Sequence, residues 1–448
     1  MKTRKINAAK IIAGSFLGAI ALGTVLLSLP FSTVTEGAMP VVNALFTATS
    51  AICVTGLTVV DTGSYFTHFG QIVILCLIQV GGLGIMTLST FFLVLLGKRL
   101  QMKDLFAIEG SIGKENIRGV KNLVRYILAV TIGIEFTGAV VLFFRFIQYE
   151  HYPVPRAIYH AIFHSVSAFC NAGFSLYSDS ITRFRGDIVI VTVFAVLVIC
   201  GGLGFLVLLN INNYKFWKRS ILQKGRLKLQ TKVVLSITAI LLICGFLGTL
   251  FLEWNNTLGG MPVKEKILNS FFQGTTPRTA GFNTLVVAQM GMPTLWLMMF
   301  LMFIGASPGS TGGGIKTSTF MMMFANAYSI IKGKINVQLF GRTIPKRVIQ
   351  EATCIMAISL GFIFILTMGL LITQKGTGFL KIVFEVCSAF SNVGLSMGIT
   401  PGLTNIGKLI IIATMLIGRI SPLTMALIVG RKTELPAIGY PMETVMVG

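Results

Sequence analysis

Four stretches of the chain repeat one pattern, and that repetition limits the possible fold more than any other feature. Aligned on Gly56, Gly173, Gly281 and Gly394, their columns agree. Ten residues before each glycine stands Phe46, Phe163, Phe271 or Phe384, and six before it stands Ser50, Ser167, Thr275 or Ser388. The two preceding residues are Val54-Thr55, Asn171-Ala172, Thr279-Ala280 and Asn392-Val393. After the glycines come Leu57-Thr58, Phe174-Ser175, Phe282-Asn283 and Leu395-Ser396. Positions 56, 173, 281 and 394 are 117, 108 and 113 residues apart. Such spacing is too long for a solenoid and suits four modules of one architecture.

A single copy reads as a helix closed by a glycine C-cap. Four copies in register, each on a short apolar run, point elsewhere. A helix of roughly 13 residues, as over 41–53, is too short to span a bilayer. It must then be re-entrant, buried in protein or lining a watery cavity, because lipid cannot satisfy its backbone. Past the helix, carbonyls can turn toward one axis only at backbone angles that glycine adopts at little cost. Four such strands around one axis would form a ring of oxygens replacing a cation's hydration shell. The candidate filter is Val54, Thr55, Gly56, Asn171, Ala172, Gly173, Thr279, Ala280, Gly281, Asn392, Val393 and Gly394. The cation is expected on their backbone carbonyls.

The rest of the chain is what such a filter needs around it. It is 54% hydrophobic and 12% charged, with mean hydropathy +0.82, so the fold class is an all-α polytopic membrane protein. Apolar runs near 11–29, 70–96, 124–147, 187–209, 234–252, 294–325, 352–373 and 406–430 predict eight transmembrane helices. With four re-entrant pore helices they divide into modules 1–100, 101–215, 216–335 and 336–448 around one pseudo-fourfold pore. The first run lacks a small-residue cleavage site and reads as a span, not a signal peptide.

The formal net charge of +22 does not imply nucleic acid, because of where it lies. Lys and Arg number four in 1–10, seven in 98–125, seven in 212–232 and five in 332–347, with none between Pro30 and Gly70. That is the positive-inside pattern, placing both termini in the cytoplasm and the basic loops against lipid headgroups. A docking face for an acidic partner is the second reading. The seven cysteines are odd in number and show no CxxC spacing, which argues against a disulfide framework or metal site. With four histidines, no HExxH and no carboxylates at catalytic spacing, enzyme chemistry is not expected.

Two features point to a gate. The run Gly305 to Ser318 holds Pro308 and Gly309, Gly312, Gly313 and Gly314, and helix cannot persist through it. It approaches the phosphate-binding pattern GxxxxGK[ST], but Ile315 intervenes before Lys316 and no strand precedes it. A non-helical segment at membrane depth faces a cavity or other protein. Lys316 and Arg419 put positive charge on the cation's route, so the candidate gate is Gly309, Gly312, Gly313, Gly314, Lys316 and Arg419. The reading of Arg419 as a helix tie through loop carbonyls is compatible with that role. Glu135, mid-span, is expected to have a structural partner, a basic group or a pore-helix amide.

These residues resemble the Trk/Ktr/HKT superfamily of potassium transporters, and within it the membrane subunit of bacterial Ktr systems. The resemblance rests on Val54-Thr55-Gly56-Leu57-Thr58-Val59-Val60-Asp61-Thr62, Asn171-Ala172-Gly173-Phe174, Thr276 to Asn283, and Phe303-Ile304-Gly305-Ala306-Ser307, and covers essentially the whole chain. It implies potassium uptake across the plasma membrane, often sodium-dependent, through a channel-like pore in a homodimer. It also implies a cytoplasmic ring of nucleotide-binding regulatory subunits. No cofactor is expected on this chain; potassium, with sodium as a second cation, is cargo. A membrane scaffold or sensor that keeps the fold without flux is the alternative.

Overall fold

The computed structural model describes residues 8–34, 37–84, 117–214, 227–334 and 336–420. The basic loops 98–116 and 215–226, and the C-terminal tail, lie outside the described residues. Helices dominate: α1 (Ala8–Leu27), α2 (Val41–Ile52), α3 (His68–Leu83), α4 (Ile117–Glu150), α5 (Val154–Phe169), α6 (Ile188–Leu203) and α7 (Phe205–Asn213) form the first half. The second half holds α8 (Leu229–Leu252), α9 (Val263–Thr275), α10 (Met292–Phe303), α11 (Thr317–Ile331), α12 (Lys346–Thr373), α13 (Phe379–Ser391) and α14 (Asn405–Ile420). The named strands are a two-residue hairpin pairing Gln338 with Thr343 and Leu339 with Arg342.

Among the described residues three helical stretches are long and apolar enough to cross a membrane: 124–150, 229–252 and 346–373. The pair α6–α7 would make a fourth, but it bends by 97°. The run 187–209, expected as one continuous span, therefore breaks. The cause is Gly204, whose φ of +91° ends α6 and starts α7. The long helices turn large apolar side chains outward, among them Phe136, Phe144, Phe251 and Phe364. That inverted surface suits lipid contact, since a soluble chain would have to cover it.

The four short helices α2, α5, α9 and α13 have 12, 16, 13 and 13 residues. Three begin directly after a proline, Pro40, Pro153 or Pro262, and the fourth after Gly378. Proline fixes φ near the angle found here and gives up no N–H that the first turn needs. Each short helix packs along the long or N-terminal helix before it: α1 on α2, α4 on α5, α8 on α9 and α12 on α13. Phe46, Phe163 and Phe384 are fully buried and anchor the helices in the core.

The third copy departs from the sequence alignment. Phe272, not Phe271, is its fully buried ring, and Thr276, not Thr275, takes the polar column. Thr275 turns its hydroxyl to the Phe271 carbonyl of its own helix, 2.8 Å. The reason is a shorter turn. Thr55, Ala172 and Val393 donate their N–H to the carbonyl five residues back, in Ser50, Ser167 and Ser388, whereas Ala280 donates to Thr276, four back.

Candidate ion filter

Beyond each short helix the chain extends through its glycine, and all four glycines have positive φ: +90°, +69°, +78° and +92° in chain order. They face one another around a closed ring. A Cβ built on Gly56 would lie 3.0 Å from Gly173 Cα, and one on Gly173 would lie 2.9 Å from Gly281 Cα. From Gly281 the distance to Gly394 Cα is 3.4 Å, and from Gly394 back to Gly56 Cα it is 3.1 Å. The same four positions are crowded by the carbonyl oxygens of Ala172, Ala280, Val393 and Thr55. Any side chain there collides with the backbone of the next segment, so the ring exists only with glycine. The carbonyls fill the space that side chains would have taken.

Two residues before each glycine the backbone is left-handed as well. Val54, Asn171, Thr279 and Asn392 have φ of +57°, +60°, +69° and +52°. For asparagine this is tolerable, but for β-branched valine and threonine it stores strain of about 1–3 kcal/mol, of the kind concentrated at functional sites. Hydroxyls hold the segments in place. Ser50 and Ser388 accept from the N–H of Gly56 and Gly394, each at 3.1 Å. Ser167 donates to the Phe174 carbonyl at 2.7 Å, and Thr276 to that of Phe282. Leu57, Phe174, Phe282 and Leu395, just past the glycines, are buried anchors.

On one side the ring opens into a mouth of about 180 Å³, lined by the four glycines and by Thr58, Ser175, Asn283 and Ser396. Asp61 also reaches it, fixed by accepting from the Ser64 N–H at 2.8 Å. Just past the end of α8, Glu253 ties that end to the start of α10. Burial alone would raise its pKa, but donors from Thr294, Gly291, Thr257 and Asn256 converge on it and hold it below the usual carboxylate range.

On the other side lies the non-helical stretch between α10 and α11. It is anchored by a bridge between Ile304 and Ile315 and by hydrogen bonds from Ser307 and Thr311 N–H to Gly202 and Gly201 carbonyls, 3.1 and 3.2 Å. Gly312 presses on Thr279, Gly313 on Asn392, and Gly314 on Ser391, so the segment packs against the ring on the side away from the mouth. Lys316 folds back, its Nζ donating to the Gly312 carbonyl at 2.8 Å. Gly309 lies farther along the loop, where its carbonyl accepts from Phe205 N–H at 2.9 Å. Arg419 reaches in from α14 and donates to the carbonyls of Thr311 and Gly81. Of the residues expected as a gate, Gly312, Gly313, Gly314, Lys316 and Arg419 thus come together while Gly309 lies apart, and Arg419 is tied by one loop carbonyl and one helix carbonyl.

The helix after the first, second and fourth glycine segments packs by glycine too. Gly81, Gly201 and Gly418 lie against the carbonyls of Ile52, Phe169 and Phe390 at the ends of α2, α5 and α13. The next residue is Gly82, Gly202 or Arg419, so the arginine occupies a column that is glycine in the first two copies. Arg278 stays behind the third segment, buried, donating to Thr238 Oγ1 at 3.3 Å. Among the described residues Glu135 meets neither a base nor a pore-helix amide. Its carboxylate accepts from Gln79 Nε2 at 3.2 Å and faces the Cys170 thiol. The left-handed residues and the offset of the third copy were not apparent from sequence; asparagine at two of the four positions was the available sign.

Comparison with known proteins agrees along the full chain. The TrkH family profile, described as a cation transport protein, matches residues 8–437. The Ktr system potassium uptake protein B of Bacillus subtilis is 39% identical over 98% of this chain and 96% of its own. The potassium/sodium uptake protein NtpJ of Enterococcus hirae is 38% identical over 99% and 98%. Among solved structures, the potassium transporter TrkH from Vibrio parahaemolyticus superposes with a TM-score of 0.72 over 96% of this chain and 86% of its own, at 20% identity, and supports the fold alone. These relatives are transport proteins and not enzymes. With its apolar helices and full-length match, the chain is an integral membrane protein belonging to the TrkH family of cation transport proteins.

Proposed function

We propose that this chain takes up potassium across the plasma membrane through a channel-like pore whose filter is the glycine ring. The reading rests on one observation: four positive-φ glycines close a ring in which each neighbour's carbonyl occupies the place of a Cβ. A bare monovalent cation is the ligand that backbone carbonyls alone can hold. Eight spans in four modules surround the pore, with both termini cytoplasmic. The stretch from Gly309 to Lys316, with Arg419, is the gate, since positive charge on the route raises the barrier to a passing cation. The relatives' names, one of them a Ktr system protein and another a potassium/sodium uptake protein, favour a separate partner component and sodium dependence. We take that partner to be a cytoplasmic nucleotide-binding ring docked on the basic loops of a homodimer.

The test is potassium and sodium flux in proteoliposomes holding the full chain. Gly→Ser at position 56, 173, 281 or 394 is expected to lower the potassium/sodium ratio about tenfold or more, because left-handed angles and backbone overlap both oppose a side chain. In the same assay Arg419→Ala raises uptake. Parental ratios in all four glycine variants would defeat the filter reading, and no flux from the parent would favour a scaffold.

A further inference from the structure

The four segments of the ring are not joined alike. Asn392 Nδ2, in the fourth, donates to Thr55 Oγ1 of the first at 2.9 Å and to the Met415 carbonyl of α14 at 3.0 Å. The Asn171 amide, in the second, meets Thr279 Oγ1 of the third at 3.2 Å. Turned so that its oxygen accepts from that hydroxyl, its nitrogen donates to Ala168 at 3.0 Å and to the Val198 carbonyl of α6 at 3.1 Å. Met415 and Val198 each stand three residues before the packing glycine of their helix, Gly418 and Gly201. The two asparagines therefore make similar bridges from a threonine hydroxyl on the next segment to a carbonyl of the helix behind, Asn392 through its nitrogen alone and Asn171 through oxygen and nitrogen. Both side chains are fully buried. Across the other two seams, first to second and third to fourth, no side-chain hydrogen bond joins the segments among the described residues.

We propose that Asn171 and Asn392 are specificity-determining residues, each a staple that fixes the spacing of two adjacent carbonyl-bearing segments, so that the ring is built from two stapled halves. The proposal rests on the filter reading above and deepens it. Thr55 carries one of the ring carbonyls itself, so the hydroxyl that Asn392 holds lies on a residue that builds the ring. Thr279 sits in the left-handed position of its own segment, immediately before Ala280, whose carbonyl is also in the ring. Loosening a staple lets the ring contract around a smaller cation, which lowers discrimination and need not stop flux.

The partners offer the cleaner substitutions. Thr55→Val and Thr279→Val remove one hydroxyl at constant volume, and valine already occupies the left-handed position of the first segment at Val54. Asn171→Gly and Asn392→Gly keep the left-handed backbone and remove the bridge. Potassium/sodium flux ratios would be measured in proteoliposomes of the full chain, beside the Gly→Ser variants. Each single change is expected to lower the ratio about fivefold, the weight of one hydrogen bond. Within a staple the pair Thr55→Val/Asn392→Gly should be no worse than one member, whereas Thr55→Val/Thr279→Val, across staples, should multiply to about 25-fold. Ratios within about twofold of the parent in both threonine variants, or multiplying effects within one staple, overturn the proposal. If the Gly→Ser variants lose discrimination while the threonine variants keep it, the staples fall and the filter stands. If neither set changes the ratio, both fall.

Discussion

The second and fourth copies of the repeat differ from the first and third in what stands behind the ring. One residue past the buried phenylalanine of each short helix is a buried polar side chain: His164 and Glu385 in one pair, Thr47 and Gln273 in the other. Glu385 accepts from Ser396 Oγ at 2.8 Å and from the Thr400 hydroxyl. His164 Nδ1 donates to the His160 carbonyl at 2.8 Å, while Nε2 accepts from the Leu176 N–H at 3.3 Å and lies 3.2 Å from Ser175 Oγ. Ser175 and Ser396 are both mouth residues, so in these copies the mouth is fastened to the short helix. Thr47 spends its hydroxyl on Asn43 in its own helix, 3.0 Å, and the Gln273 amide makes no hydrogen bond among the described residues. Four copies of one frame thus carry a twofold pattern of fastening, which pure fourfold equivalence would not produce.

Substitutions at three positions of that column sharpen the contrast. Glu385→Ala should have the largest effect, since it strands two hydroxyls in the interior. It is expected to cost about 3 kcal/mol of unfolding free energy by denaturation in detergent, with Glu385→Gln recovering much of it through its remaining acceptor. A smaller loss, about 2 kcal/mol in the same measurement, is expected for His164→Phe, where the ring packing survives and the bonds to Leu176 and Ser175 do not. Thr47→Val should change stability by less than about 0.5 kcal/mol, because a back-bonded helix hydroxyl adds little. A Thr47 variant as costly as the Glu385 one would erase the distinction between the pairs.

Much of this was legible before any coordinates. The glycine column showed itself because only glycine fits where a neighbouring backbone stands in place of Cβ. The broken stretch before Lys316 showed itself because helix cannot run through so many glycines. The one-residue offset of the third copy was hidden, since alignment on the glycines assumes equal turns and Thr275 beside Thr276 offers two equivalent hydroxyls. The bend at Gly204 was hidden too, because Phe205-Leu206-Val207-Leu208-Leu209 continues the apolar run and hydropathy carries no direction. The asparagine staples link residues 108 and 337 positions apart, beyond any local pattern.

Arg419 shows what one continuous polypeptide allows that a ring of identical subunits forbids. In a symmetric tetramer a residue chosen at one position appears in every subunit, and an arginine in this column would surround the axis with four positive charges. Here the same column holds Gly82, Gly202, Ala306 and Arg419, so the charge is written once. A single cation at the rim repels potassium with about a quarter of the energy of a full ring at equal distance. In the gate proposed above, asymmetry thereby keeps the obstacle to one side chain.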